Sequence, residues 1–308
     1  MIGMPGKSHA GPLPDLTPAQ KALSDSLRRD VTHLAATIGL RNWDAYANLN
    51  KAADYLEQRF QESGCTVARQ TFRIVEEAYH NLEVEIRGAT KPDEIVVVGG
   101  HYDSVAGCPG ANDNATGAAG VVALAAAFAG QKFARTLRFV AFTNEEPPQY
   151  RTGDMGSVVY AKRCRERNEK VVAMLSLETM GCYSDHAGSQ SYPPPLSLIY
   201  PSTGNFIAFV GNVSSRGLVR RAIGEFRKSA AFPSEGAALP GWLPGVGWSD
   251  HWSFWKEGYD AIMVTDTAPF RYAHYHTAQD TVDKVDFDRL ARVIDGLVPV
   301  VRSLADSQ

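Results

Sequence analysis

The sequence predicts an α/β fold, a mostly parallel mixed sheet flanked by helices on both faces. Three observations carry this reading. Near-continuous apolar runs at Ile95–Val98, Leu137–Phe142 and Val171–Leu177 suit strands covered on both sides, because a strand with one wet face would alternate. Segments with apolar residues at helical spacing separate these runs, the order that builds parallel βαβ units. The chain has 308 residues, 44% of them hydrophobic, and a net charge of 31 − 34 = −3, the values of a globular protein able to bury a large core.

Residues 1–15 are rich in Gly and Pro and read as a flexible N-terminal arm ahead of a single domain over 16–308. Thr17-Pro18 marks a helix start, with Thr17 as N-cap and Pro18 at the first helical position. Leu23, Leu27, Val31 and Leu34 carry that helix to about Ile38. A second helix is expected from about Tyr46 to Glu62, with Leu49, Ala52, Ala53, Leu56 and Phe60 on one face and Ser63-Gly64 ending it. Thr66–Ile74 and Asn81–Ile86 alternate like half-exposed strands. Thr116–Phe128 reads as a buried helix whose Ala and Gly permit close packing on a sheet. Helices are also expected at Met155–Cys164 and Leu218–Lys228, and strands at Phe206–Val210 and Ala261–Thr265. Ser249–Trp255 opens a short helix, and Phe287–Leu304 is a closing amphipathic helix. Residues 183–204 and 230–248 are rich in Pro, Gly and Ser and read as long loops, which in compact domains usually serve function.

Several classes of function are set aside by composition. A near-neutral charge balance argues against nucleic acid as the main partner. Cys65, Cys108, Cys164 and Cys182 form no C-x-x-C pair and read as free thiols. No run reaches the roughly 18 apolar residues of a membrane span, so no membrane partner is expected. Residues 1–20 show no apolar signal segment, which makes the cytoplasm the default expectation, or secretion if the N-terminus was trimmed. Oligomeric state is left open.

The chemistry gathers where ligands bind in open α/β sheets, outside the carboxyl ends of the strands. The strand at 95–99 ends in Gly100-His101-Tyr102-Asp103, that at 137–142 in Asn144-Glu145-Glu146, and that at 171–177 in Glu178. The strand at 261–265 leads to Tyr275-His276, and the loop after His101 adds Asp113 in Gly110-Ala-Asn-Asp-Asn-Ala-Thr-Gly117. Imidazoles and carboxylates converging in this way form a ligand set for zinc. Each residue alone has a plainer reading: His101 as a satisfied strand-end histidine, Asp113 as a turn residue, Glu145-Glu146 as a solvated loop. The pair His101-x-Asp103 adds a carboxylate able to hold the second ring nitrogen of a metal-bound imidazole. Adjacent Glu145 and Glu146 repel unless a cation or proton intervenes, and Glu178, set in Leu175-Ser-Leu-Glu-Thr-Met, needs a partner if buried.

Together, His101-Tyr-Asp-Ser, Asn112-Asp113-Asn114-Ala-Thr-Gly117, Asn144-Glu145-Glu146, Ser176-Leu-Glu178-Thr-Met-Gly181, Ser249-Asp250-His251 and Tyr275-His276-Thr277 resemble the M28 family of zinc peptidases, the co-catalytic two-zinc aminopeptidases. The resemblance spans roughly residues 45–305 and implies a zinc-exopeptidase-like fold with two Zn2+ per chain. It implies that His101 and Glu178 bind one zinc, that Glu146 and His276 bind the other, and that Asp113 bridges them through a cis Asp113-Asn114 bond. It further implies that Glu145 is the general base, that Asp103 supports His101, and that Tyr275 donates to the tetrahedral oxyanion. Glu178 departs from the aspartate found in many members, and Pro147-Pro148-Gln-Tyr150 lengthens the loop after the base. The implied substrates are peptides with a free N-terminus.

Trp242, Trp248, Trp252 and Phe270 are candidates for a side-chain pocket, with core packing the alternative for Trp252 and Phe254. Asp250 and His251 would shape its wall, and Asp280 reads as a cap near the His276 loop. The sequons at Asn114 and Asn212 are not expected to carry glycans. Three other functions stay open. A glutaminyl cyclase would use a single zinc on the same fold. A carboxypeptidase would need a cation such as Arg271 or Arg151. A metal-free binding module would discard ligands that this sequence keeps.

Overall fold

Successive side chains of one central strand enter two different cores, and this alternation organises the molecule. Our computed structural model describes residues 3–306; Met1, Ile2, Ser307 and Gln308, the outer ends of the expected arm and domain, lie outside the described residues. In β3 (Lys91–His101), Val96 and Val98 face one core while Ile95 and Val97 face the other. Strands β1 (Val67–Ile74) and β2 (Glu77–Ile86) form an antiparallel hairpin that pairs with β4 (Arg135–Phe142). Beyond β4 come β3, β5 (Lys170–Glu178) and β8 (Ala261–Thr265), all parallel. β6 (Ile207–Asn212) is antiparallel to β8, and β7 (Ser234–Leu239) parallel to β6. The order across the eight-stranded sheet is β1-β2-β4-β3-β5-β8-β6-β7.

Helices cover both faces, as the doubly buried strands require. On the larger side lie α1 (Pro18–Thr32), α2 (Tyr46–Glu62), α3 (Thr116–Phe128), α5 (Arg216–Ser229) and α7 (Phe287–Ala305). α4 (Gly156–Glu166) and α6 (His251–Lys256) cover the other, where Tyr160 and Phe254 pack on Phe142. Thr17 is the N-cap of α1, as expected, and forms a reciprocal capping box with Gln20. Gly120 of α3 packs so closely that an added Cβ would stand 2.7 Å from Ile294 of α7 and 3.3 Å from Leu177 of the sheet. Among the described residues no helix is long and apolar enough to cross a membrane, and all four cysteines are free thiols.

Two elements differ from the expectation. β7 lies where a long loop was predicted, because Ser-Glu-Gly-Ala-Ala-Leu lacks the β-branched residues that mark a strand. Its backbone pairs with β6, and Gly236 leaves room for Met4 and Ile223 at 2.8 and 3.0 Å from a notional Cβ. The described part of the predicted arm, residues 3–15, is anchored to the domain. Met4 and Leu13 pack on the main core, the Ser234 amide donates to Ser8 Oγ at 2.8 Å, and Arg227 donates to the Pro5 carbonyl at 3.2 Å.

Arg41 is fully buried without a carboxylate partner. Its guanidinium donates to the carbonyls of Tyr102 and Gly110, both at 2.6 Å, and to that of Pro109, tying down the segment between β3 and α3. Removing it leaves buried carbonyls without donors, at about 1–3 kcal/mol each. We expect Arg41→Ala to lower unfolding free energy by about 3 kcal/mol or more in urea titrations. Lys at this position should recover little, since a single ammonium cannot span the three carbonyls.

Candidate metal centre

The parallel register brings four strand ends to one edge of the sheet. His101 is the last residue of β3 and Glu178 the last of β5, while Glu145 and Glu146 follow β4 directly. His276 lies in the loop beyond β8, and Asp113 in the turn that leads into α3. The Asp113-Asn114 peptide is cis. Asn144, Thr179 and His276 have φ of 57°, 40° and 58°, so three residues at or beside these positions adopt the left-handed region that costs non-glycine residues about 1–3 kcal/mol each. Such strain persists where surrounding contacts over-determine the backbone.

Two donor sets meet at Asp113. His101 Nε2 stands 3.4 Å from Asp113 Oδ1 and 3.2 Å from Glu178 Oε2. His276 Nε2 stands 3.0 Å from Asp113 Oδ2 and 3.3 Å from Glu146 Oε1. Within each triad, His101–Asp113–Glu178 and Asp113–Glu146–His276, the potential donor atoms lie within 4.8 Å of one another. His101, Glu145 and Glu146 satisfy the same criterion as a third combination. His101 Nδ1 lies 3.4 Å from Asp103 Oδ1. The carboxylate of Asp103 also accepts the amides of Glu145 and Glu146, both at 3.0 Å. One side chain thus holds the Glu145-Glu146 turn and stands beside the imidazole, whose buried Nδ1 has no hydrogen-bond partner.

The site carries more negative than positive charge in a water-poor environment. Burial pushes Glu146 up to about 7, with Asp113 adding to the effect and His276 opposing it. Burial likewise raises Glu145 well above the carboxylate range, with Glu146, Glu178 and Asp250 adding repulsion against the pull of His101. Glu178 is raised by burial and by Asp113, although Ser249 Oγ donates to it at 2.7 Å. For Asp113 burial is outweighed by His101 and His276, which hold it below its ordinary range. Burial lowers His276, yet Asp113 and Glu146 prevail and hold it at about 10. Glu146 Oε1 is buried without a hydrogen-bond partner. Hard oxygen and borderline nitrogen donors in charge excess, with an orphaned buried oxygen among them, fit a divalent cation such as zinc.

The predicted residues therefore come together, along with others that motif reading missed or misjudged. Asp280, read as a cap near the His276 loop, instead holds the Asp113 turn: its carboxylate accepts the amides of Asn112 and Asp113 at 2.9 and 3.0 Å and the Tyr272 hydroxyl at 2.8 Å. Asn112 donates to Asp266 Oδ2 at 2.9 Å and accepts from the Gly181 amide at 2.7 Å. Asn114 is fully buried and donates to the Leu177 carbonyl at 2.8 Å, which closes that sequon to a glycan. His251 is buried at 2.8 Å from the Val246 carbonyl, and burial lowers it to about 4, a neutral structural group. Trp248 and Phe270 line the pocket beside the centre. Trp252 lies instead under Arg151 and Lys256, Phe254 is core, and Trp242 is mostly exposed. Tyr275 stacks on the His276 ring at 3.9 Å and lines both the pocket and the mouth of the site. The cations that a carboxypeptidase would need lie away from the mouth, although Arg271 Nη2 is buried without a hydrogen-bond partner. Arg271 donates to Gln190 Oε1 and the Phe206 carbonyl, Arg151 to the Gly247 carbonyl, and neither lines the mouth.

The model of the family described as peptidase family M28 matches residues 81–301. The chain belongs to peptidase family M28. A relative from Escherichia coli strain K12, the uncharacterized protein YfbL, is 35% identical over 289 residues, covering 91% of this chain and 88% of its own length. The zinc aminopeptidase BSAP of Bacillus subtilis superposes with a TM-score of 0.74 at 14% identity, over 92% of this chain and 96% of that one. A glutaminyl cyclase of Fimbriiglobus ruber has a TM-score of 0.67 at 20% identity, over 95% and 99%. These two likenesses show a shared α/β fold. Membership in M28 makes this chain a metallopeptidase-family protein, with peptides as the substrates of its family.

A pH dependence follows for the metal-free protein. Glu145, Glu146, Glu178, His101 and His276 all bind protons more tightly folded than unfolded, so the native state holds the extra protons between the unfolded and folded values. Stability then falls as pH rises from about 5 to 8. Zinc should reverse the trend by neutralising the carboxylates. Denaturation midpoints taken with and without zinc should separate more at pH 8 than at pH 6, and a constant separation would contradict this account.

Proposed function

We propose that this M28 protein is a zinc-dependent aminopeptidase that hydrolyses the N-terminal peptide bond of its substrates. The carrying observation is the double engagement of Asp113, whose two carboxylate oxygens face two different imidazoles. That arrangement supports the assignment of His101 and Glu178 to one zinc, of Glu146 and His276 to the other, and of Asp113 to both. When bound, the metal pair supplies Lewis acidity toward a scissile carbonyl and lowers the pKa of a water toward neutrality.

The chain's own residues supply the rest. Glu145 lines the mouth with its carboxylate buried, where it can take a proton from the attacking water and pass it to the leaving amine. Asp103 fixes the Glu145 turn by the contacts described above, and its carboxylate faces the His101 ring. Tyr275 lines the mouth, and burial beside Asp113 and Glu146 keeps its hydroxyl protonated and able to donate to a developing oxyanion. The surplus carboxylates around Glu145 and Glu178 favour the substrate's free ammonium over an acidic terminus. The likeness to a glutaminyl cyclase carries a second reading, cyclisation of N-terminal glutamine at a single zinc.

Metal analysis and turnover separate the two. We expect about two zincs per chain and chelator-sensitive release of N-terminal residues from aminoacyl anilides; about one zinc with pyroglutamate formation would favour the cyclase. Glu145→Gln should lower kcat on the order of 100-fold or more while zinc content is retained. Tyr275→Phe should lower kcat on the order of 100-fold with a smaller change in KM.

A further inference from the structure

A second carboxylate stands at the far end of the pocket that opens from the centre. Glu178, Thr265, Ala208 and Glu235 occupy one register row across β5, β8, β6 and β7. Three strand spacings separate the Cα atoms of Glu178 and Glu235, roughly 14 Å. All four residues line a single pocket, with Glu178, Trp248 and Tyr275 at the metal end. Between the ends the walls are largely apolar, with Met263, Phe270 and Tyr192 among them, and Ala208 and Ala237 leave the passage open beside the row.

Glu235 is positioned to act on what enters. On β7 it shares a face with Ala237 and Leu239, which also line the pocket, whereas Gly236 faces α5. Its carboxylate accepts no hydrogen bond among the described residues. The nearest cation, Arg227 Nη2, is 4.0 Å away and donates instead to the Ser234 carbonyl at 2.6 Å. Arg227 Nε is bound to Ser234 Oγ at 3.1 Å and Nη1 to the Pro5 carbonyl at 3.2 Å. Glu235 therefore retains acceptor capacity at the end of an apolar passage, half-shielded from solvent.

We propose that Glu235 selects substrates whose N-terminal residue carries a long basic side chain, arginine or lysine. This inference rests on the aminopeptidase reading, which places the substrate's α-ammonium at the Glu145–Glu178 end. A basic residue of that length is complementary at three points: its ammonium at the centre, its methylene stem along the apolar walls, and its terminal cation at Glu235. A leucine or methionine side chain would fill the near part of the pocket and leave the Glu235 carboxylate with only the distant Arg227 guanidinium, 4.0 Å away.

The test uses zinc-loaded full-length protein and the p-nitroanilides of arginine, lysine, leucine and methionine. We expect kcat/KM to favour arginine and lysine in the wild type, and Glu235→Gln to lower the arginine-to-leucine ratio at least tenfold. An unchanged ratio in Glu235→Gln would overturn the assignment, as would a wild-type preference for leucine. Calorimetric binding of free L-arginine and L-leucine gives a readout independent of turnover. If no anilide is cleaved but arginine binds at least tenfold tighter than leucine, and loses that advantage in Glu235→Gln, the basic-residue pocket stands and the aminopeptidase reading falls. Equal binding of the two amino acids by the wild type would remove the role of Glu235.

Discussion

Mutual repulsion among buried carboxylates is the constraint around which this site is built. Asp103, Asp113, Glu145, Glu146, Glu178 and Asp250 are all nearly inaccessible to water, and the two nearby imidazoles cannot neutralise them. Burial raises Asp250 to about 7, and neither of its oxygens has a hydrogen-bond partner. A cluster of this kind is unfavourable unless backbone amides, protons or cations compensate it. The fold supplies the amides: Asp103 takes those of the Glu145-Glu146 turn, and Asp280 takes those of Asn112 and Asp113. The charge that remains is what divalent metal binding would neutralise.

The sheet converts this local chemistry into a geometry. Parallel strands end together, so residues far apart in sequence reach one edge without long loops of their own. The same register that places Glu178 at that edge runs on through Thr265 and Ala208 to Glu235. Candidate metal ligands and pocket wall are therefore set by one network of strand hydrogen bonds. A shift of β7 by one residue would turn Glu235 away from the pocket and Gly236 into it, because neighbouring side chains of a strand face opposite ways.

Much of the architecture was legible because its signals are local. The doubly buried strands at 95–98, 137–142 and 171–177, the Thr17-Pro18 helix start and the helix at 116–128 declare themselves through composition and spacing. β7 did not, since its pairing with β6 outweighs a weak propensity that only the finished sheet can compensate. Nor did the anchored course of residues 3–15, whose anchors lie on α5, β7 and α7, more than 200 residues away. Within the site, the ligand types at strand ends were readable, and their order resembled a known family. The role of Asp280 was not, because one aspartate after a loop histidine looks the same whether it caps its own turn or one 168 residues earlier.

By itself, the sequence determined the fold class, the strand ends that carry His and Glu, and the chemical character of the site, because each depends on residue type and short-range spacing. Tertiary structure alone decided that Asp113 faces both histidines, that Arg41 and Asp280 hold the segments beside it, and that Arg271 and Arg151 lie away from the mouth. It also decided that Glu235, in a stretch that read as loop, closes a pocket opening from Glu178. Those facts depend on which strands become neighbours and in what register. Long-range pairing settles that, and no local window of sequence contains it.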